Sequence, residues 1–193
     1  MVLITTALQE TFPKDINKKV LFLGEWCKVY SNKPAWQKFN SKTMPYHWDD
    51  RKKLYTDYQN IQIIYEKILL ELSSKLNQTH QVNYSLRYWR ILIGPWLGYF
   101  IQMLFDRWFM LNTAFDSNQK YHCCIIRRDN YSSVPYNMNS FEQQFITDEW
   151  NEVIYGQLIE LCWANKVNIT RIEKIKQAPQ PIAKKIPIKK YIK

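Results

Sequence analysis

Val20-Leu21-Phe22-Leu23-Gly24-Glu25-Trp26-Cys27 sets four apolar residues in a row, stops them at a glycine, and then places a carboxylate beside an indole and a thiol. A short uncharged run bounded by polar and turn residues marks a strand buried on both faces. Val2 to Thr6 is a second such run, Tyr121 to Ile126 a third, and Asn168 to Ile175, which does carry charges, is a candidate final strand. Long helical patterns separate them, so the fold class is α/β, a small, mostly parallel sheet of about four strands packed by long helices. Open sheets of this kind collect ligands at the carboxyl ends of their strands, which makes Glu25 and Trp26 candidate binding residues. The chain has only 4 glycines, and neither G-x-G-x-x-G nor G-x-x-x-x-G-K-[ST] occurs, so there is no dinucleotide loop and no P-loop.

Pro45-Tyr46-His47-Trp48-Asp49-Asp50-Arg51 concentrates an imidazole, two carboxylates and a guanidinium among aromatic rings. His47, Asp49 and Asp50 are candidate proton-transfer groups, while Tyr46, Trp48 and Arg51 supply binding surface at low entropic cost. A structural role stands beside this one: Asp49 or Asp50 caps the following helix, and Arg51 pairs with a neighbour. That helix is predicted from about Asp50 to Asn77, with Leu54, Tyr58, Ile61, Tyr65, Ile68 and Leu72 as its apolar stripe.

Ser85 caps a second helical block that is nearly apolar from Ile91 to Phe105. Fifteen uncharged residues fall short of the roughly twenty that span a bilayer, so a buried helix is expected, kinked or restarted after Gly94 by Pro95. Arg87 and Arg90 share a face three residues apart. They are candidate ligands for a phosphate or sugar acid, or else internal partners of Asp49, Asp50 or Asp106. A further amphipathic helix begins near Asp148, and Arg127 to Asn139 reads as a loop.

With 193 residues, 46% of them hydrophobic, the chain can bury a core as one domain. Its net charge of +10 is unevenly spread: nine of the 27 bases but one of the 17 acids lie from Lys166 onward, leaving the preceding residues near neutral. Nucleic-acid binding needs a basic face on the folded surface, so no nucleic-acid partner is expected. Residues 1–176 are read as one domain and 177–193 as a basic Pro/Lys linker, a candidate contact for an anionic membrane surface. The four cysteines have no C-x-x-C spacing, and His122, Cys123 and Cys124 alternate across a strand, so no metal site is expected. Met1 to Ala7 lacks the features of a secretory signal, which points to the cytoplasm, with a peripheral place on the inner face of the membrane if the tail engages it.

Leu21 to Cys27, Pro45 to Arg51 with Leu54-Tyr55 and Asp57-Tyr58, Ser85 to Trp108, and Asp148-Glu149-Trp150-Asn151 follow one another in an order that resembles the amino-terminal region of a family of bacterial transferases. Its members are associated with lipopolysaccharide and other surface-carbohydrate assembly. The resemblance covers about Leu3 to Leu161. It implies a Rossmann-like half of a two-domain transferase, facing a glycan or lipid-linked acceptor. Family members continue into a carboxyl-terminal domain that implies a nucleotide-activated sugar donor. This chain, ending in the basic segment, is expected to lack that domain, to bind no cofactor itself and to be inactive alone. A docking module with no catalysis is the alternative.

Overall fold

The computed structural model describes residues 1–116, 119–127 and 134–173. Strands β1 (Val2–Ile4), β2 (Val20–Phe22), β3 (Ser41–Thr43), β4 (Tyr121–Arg127) and β5 (Val167–Glu173) form one parallel sheet in the order β3-β2-β1-β4-β5. β1 and β2 run in register from Val2 opposite Val20 to Ile4 opposite Phe22, and every residue of both is buried, as their uncharged sequences require. The order reverses between β1 and β4, so the crevice at their carboxyl ends is the topological switch point of a Rossmann-like sheet. β3 is the strand that sequence patterning misses. Its Ser-Lys-Thr is a polar edge, with no apolar run to mark it and a lysine that discourages further pairing.

Five helices complete the described fold: α1 (Lys33–Trp36), α2 (Arg51–His80), α3 (Leu86–Phe115), α4 (Met138–Gln144) and α5 (Asp148–Cys162). Asp50 caps α2 by accepting from the backbone N–H groups of Lys52 and Lys53. α2 and α3, each about 45 Å long by the 1.5 Å rise, pair as a hairpin inserted between β3 and β4. The inward face of α2 differs from the predicted stripe: Asp57, Ile61 and Leu69 are buried while Tyr58 and Ile68 are exposed. Asp57 takes the inner place because its charge is satisfied there by Trp48 and Lys53.

Ser85 caps α3 through the N–H of Tyr88. α3 runs through Pro95 as one helix, with no restart after Gly94. Pro95 removes one intrahelical donor, but packing on α2 holds the helix: a Cβ on Gly94 would sit 2.6 Å from the Tyr65 hydroxyl, so the glycine lets the two helices approach. Nor is the apolar run sealed inside, since Ile91 and Leu92 are 70% and 60% exposed. No described helix is long and apolar enough to cross a membrane.

The main core lies between the sheet and the facing sides of α3 and α5, centred on Leu3, Ile4, Phe22, Met110, Phe115 and Ile159. Burying each such side chain contributes about 1.5–3 kcal/mol. A second cluster joins α2 to α3 through Ile61, Leu69, Leu97 and Ile101, and a third joins α3 to α4 and α5 through Met103, Phe141, Trp150 and Ile154. The basic segment 177–193 and the proposed boundary at 176 lie outside the described residues.

Candidate functional site

A cavity of about 810 Å³ opens at the carboxyl ends of the strands. Its walls come from five places: Glu25 and Trp26 after β2, Thr43 to Tyr46 with Asp49 at and beyond the end of β3, Asp106 and Arg107 of α3, Phe145 and Ile146 between α4 and α5, and Asp148, Asn151 and Tyr155 of α5. Gly24 sets the first wall. The Trp26 ring folds back over it so closely that an added Cβ would stand 2.0 Å from a ring carbon, and the indole N–H then donates to the Thr5 carbonyl at 2.9 Å. The Tyr46 ring meets Trp26 edge-on at 6.1 Å.

The far wall is the start of α5. Thr147 caps that helix through the Trp150 N–H, and Asp148 accepts the Ala7 N–H just beyond β1 at 3.0 Å, clamping helix to sheet at the crevice. Its other carboxylate oxygen has no partner among the described residues. Burial pushes the Asp148 carboxyl above its ordinary range, outweighing the Ala7 bond that favours the anion. Asn151 donates to the carbonyls of Phe145 and Thr147 and accepts from Arg107 Nε at 2.9 Å.

Behind the cavity runs a chain of buried polar groups. Asp106 accepts from His47 Nε2 at 2.9 Å on one oxygen and from Arg107 Nη1 at 2.9 Å on the other. Burial, and then the Asp106 carboxylate facing it, raise the Tyr46 hydroxyl above the usual phenol range. The His47 ring, its side chain only 4% exposed, is packed between Trp48 and Phe109 with ring centroids 4.6 and 4.7 Å away. Its Nδ1 has no hydrogen bond and lies 3.9 Å from Asp57. Asp57 in turn accepts from Trp48 Nε1 at 3.0 Å and from Lys53, whose ammonium sits over Phe109.

The residues singled out in the sequence therefore divide. Glu25, Trp26, Tyr46 and Asp49 line the cavity. Glu25 is exposed at its rim and paired with Lys28 at 2.8 Å. His47 faces away into the packed interior and reaches the cavity only through Asp106. Asp50 is occupied as a helix cap, Trp48 joins the α2–α3 packing, and Arg51 lies with Leu54, Tyr55 and Tyr58 on the outside of α2.

Arg87 and Arg90 are not brought to the box. Arg90 forms a two-pronged pair with Glu66 at 2.5 and 2.7 Å, and Arg87 is exposed near the far end of the hairpin. Sixteen residues of helix separate Arg90 from Asp106, about 24 Å by the 1.5 Å rise. The guanidinium that does reach the cavity is Arg107. In the sequence Asp106-Arg107 looks like the polar end of an apolar run, yet adjacent charges inside a buried helix demand partners, and that is the signal that marks Arg107. Asp148 and Asn151 were legible only as part of the recurring motif order.

Among the described residues, no His, Cys, Asp and Glu side chains gather in a set that could hold a metal ion. The arrangement combines carboxylates able to accept from hydroxyl groups, a half-buried acid whose burial favours its protonated form, aromatic faces and, among the described residues, one anchored cation. No curated protein and no solved structure matches the chain. The sequence does match the LIC12162 family transferase over residues 1–192, and the chain belongs to that family.

Proposed function

We propose that this transferase acts on a sugar or sugar phosphate in bacterial surface-polysaccharide or lipopolysaccharide assembly, and that the strand-end cavity takes its acceptor. The carrying observation is the cavity at the strand ends, where Asp49 and Asp148 stand among the rings of Trp26 and Tyr46. Carboxylates that accept from hydroxyl groups beside aromatic faces suit a glycan, whose ring presents hydroxyls at its edge and C–H groups on its face. Asp148 is the proposed general base, because its free oxygen and raised proton affinity fit it to take a proton from an acceptor hydroxyl. Asp49 orients that hydroxyl, and Arg107 holds charge that develops or resides on the substrate.

A nucleotide-activated sugar donor completes the reaction in this reading. The acceptor is a glycan or a lipid-linked glycan, and the lysine-rich segment biases the protein toward an anionic membrane.

Saturation-transfer NMR against hexoses, hexosamines and uronic acids tests the acceptor assignment. Binding that Asp49→Asn weakens and Arg87→Ala leaves unchanged supports it. Absence of any glycan binding, or equal loss in the arginine variant, overturns it.

One observation favours a second reading, a docking module. Ile63, Leu70, Ile91 and Leu92 are all exposed on α2 and α3, and large apolar side chains left in solvent on one hairpin suit a protein contact. Light scattering that shows a dimer disrupted by Leu92→Glu would move the weight to this alternative.

A further inference from the structure

The imidazole of His47 is too well built to be filler and too deep to touch a ligand. A histidine used only to fill space between Trp48 and Phe109 would be replaced by an apolar ring at no cost in hydrogen bonding. Here its Nε2–H is spent on Asp106 Oδ1, leaving Oδ2 to face Arg107. Arg107 is then held at three points: Nη1 on Asp106 at 2.9 Å, Nε on Asn151 at 2.9 Å, and a long contact from Nη1 to the Met103 carbonyl at 3.5 Å. Its Nη2 donates to no described residue, and the side chain, 17% exposed, lines the cavity. A planar guanidinium fixed along two edges presents its remaining N–H groups in one direction, which is the geometry that takes an oxyanion.

We propose that His47 is a positioning residue: by fixing the Asp106 carboxylate, it orients Arg107 so that Nη2 takes one anionic oxygen of the ligand in the cavity. This rests on reading the cavity as the functional site. It gives the ligand a single acidic group, a carboxylate or phosphate, because among the described residues Arg107 is the one cation lining the space while Asp49 and Asp148 discourage a second negative charge. Asp57 and Lys53 act one step further back. Asp57 lies 3.9 Å from the other imidazole nitrogen, and the Lys53 ammonium balances its charge.

Inorganic phosphate and acetate are the probes, titrated into the uniformly ¹⁵N-labelled full chain while the Arg107 Nε–H and His47 imidazole resonances are followed. In the native protein, His47 should show the tautomer protonated at Nε2, and both probes should shift Arg107 and, through Asp106, His47. A larger response to phosphate assigns a phosphate-bearing ligand, and a larger response to acetate assigns a carboxylate. His47→Gln, whose amide can still donate to Asp106, should bind within about threefold of native, and His47→Phe at least tenfold more weakly with an unchanged Asp148 environment.

Native protein whose Arg107 signal ignores both probes, or His47→Phe binding as native does, overturns the proposal. Should His47→Phe fail to fold, the His47 response in the native protein decides alone: no shift on saturation refutes the coupling. These readouts need no turnover, so a chain that binds the probes at Arg107 but no glycan refutes the acceptor assignment and leaves the coupling standing.

Discussion

Removing the Asp106 carboxylate tests how much of the site depends on one buried charge. In Asp106→Ala, the His47 Nε2–H loses its acceptor in surroundings where the imidazole is 4% exposed, so water does not replace it easily. Leaving a buried donor unpaired costs about 1–3 kcal/mol. Arg107 loses its ion pair as well, but at 17% exposure it keeps Asn151 and meets solvent in the cavity. Its share is therefore about 1 kcal/mol, well below the roughly 3–5 kcal/mol of a fully buried broken pair.

The expected total is about 3 kcal/mol, which lowers Tm by roughly 6–12 °C for a chain of this size. Asp106→Asn should lose about 2 kcal/mol, because its amide can accept from one donor while its NH₂ group faces the other. Urea unfolding followed by tryptophan fluorescence, with calorimetry for Tm, measures both variants. An alanine variant within about 1 kcal/mol of native would show that the His47–Asp106–Arg107 chain carries no net stability, and the reasoning about its rigidity would fail.

Three further outcomes follow from the same geometry. Gly24→Ala drives a Cβ into the Trp26 ring, so about 2–4 kcal/mol of overpacking and a lost Thr5 hydrogen bond are expected; adding Trp26→Ala should remove most of that penalty in a double-mutant cycle, and simple additivity would contradict the contact. For Asp148, the folded protein binds the proton more tightly than the unfolded chain, so its stability falls as pH rises from 3.8 through the raised folded value. Asp148→Asn should therefore gain on native above that window and lose the gain below it, and parallel stability–pH curves for the two proteins would refute the assignment. Thiol labelling of the native protein should modify Cys162 first, since burial pushes Cys27 up to about 12 and holds Cys123 higher still; a fast rate that survives replacing both Cys162 and the half-buried Cys124 by serine would contradict their burial.

What could be read from the sequence depended on how much of each element's environment its own residues encode. β1, β2 and β4 carry their burial in uncharged runs, and both long helices announce themselves through caps at Asp50 and Ser85. β3 has no such signature because an edge strand needs little apolar area. α4 was also missed, its seven residues held by an Asn137–Ser140 capping box and the single buried ring of Phe141 rather than by a repeating stripe.

At the site, the strand-end residues Glu25 and Trp26 and the box residues Tyr46 and Asp49 were legible locally. The partners of the box were not, because pairing across 59 residues, as between His47 and Asp106, is decided by how the α2–α3 hairpin packs. Arg87 and Arg90 had the chemistry expected of a clamp. Helix length sets them apart from the cavity, and Arg90 pairs with Glu66 instead.

The location of the functional centre can be read from two indole signals. Trp26 donates to Thr5 at the cavity mouth, whereas Trp89 donates to Asn77 beside Arg90 at the far end of the hairpin. When a bound glycan or oxyanion is titrated into the labelled protein, the Trp26 Nε1–H resonance should shift in proportion to occupancy while that of Trp89 stays fixed. A shift confined to Trp89 would place the ligand on the hairpin and contradict the strand-end site.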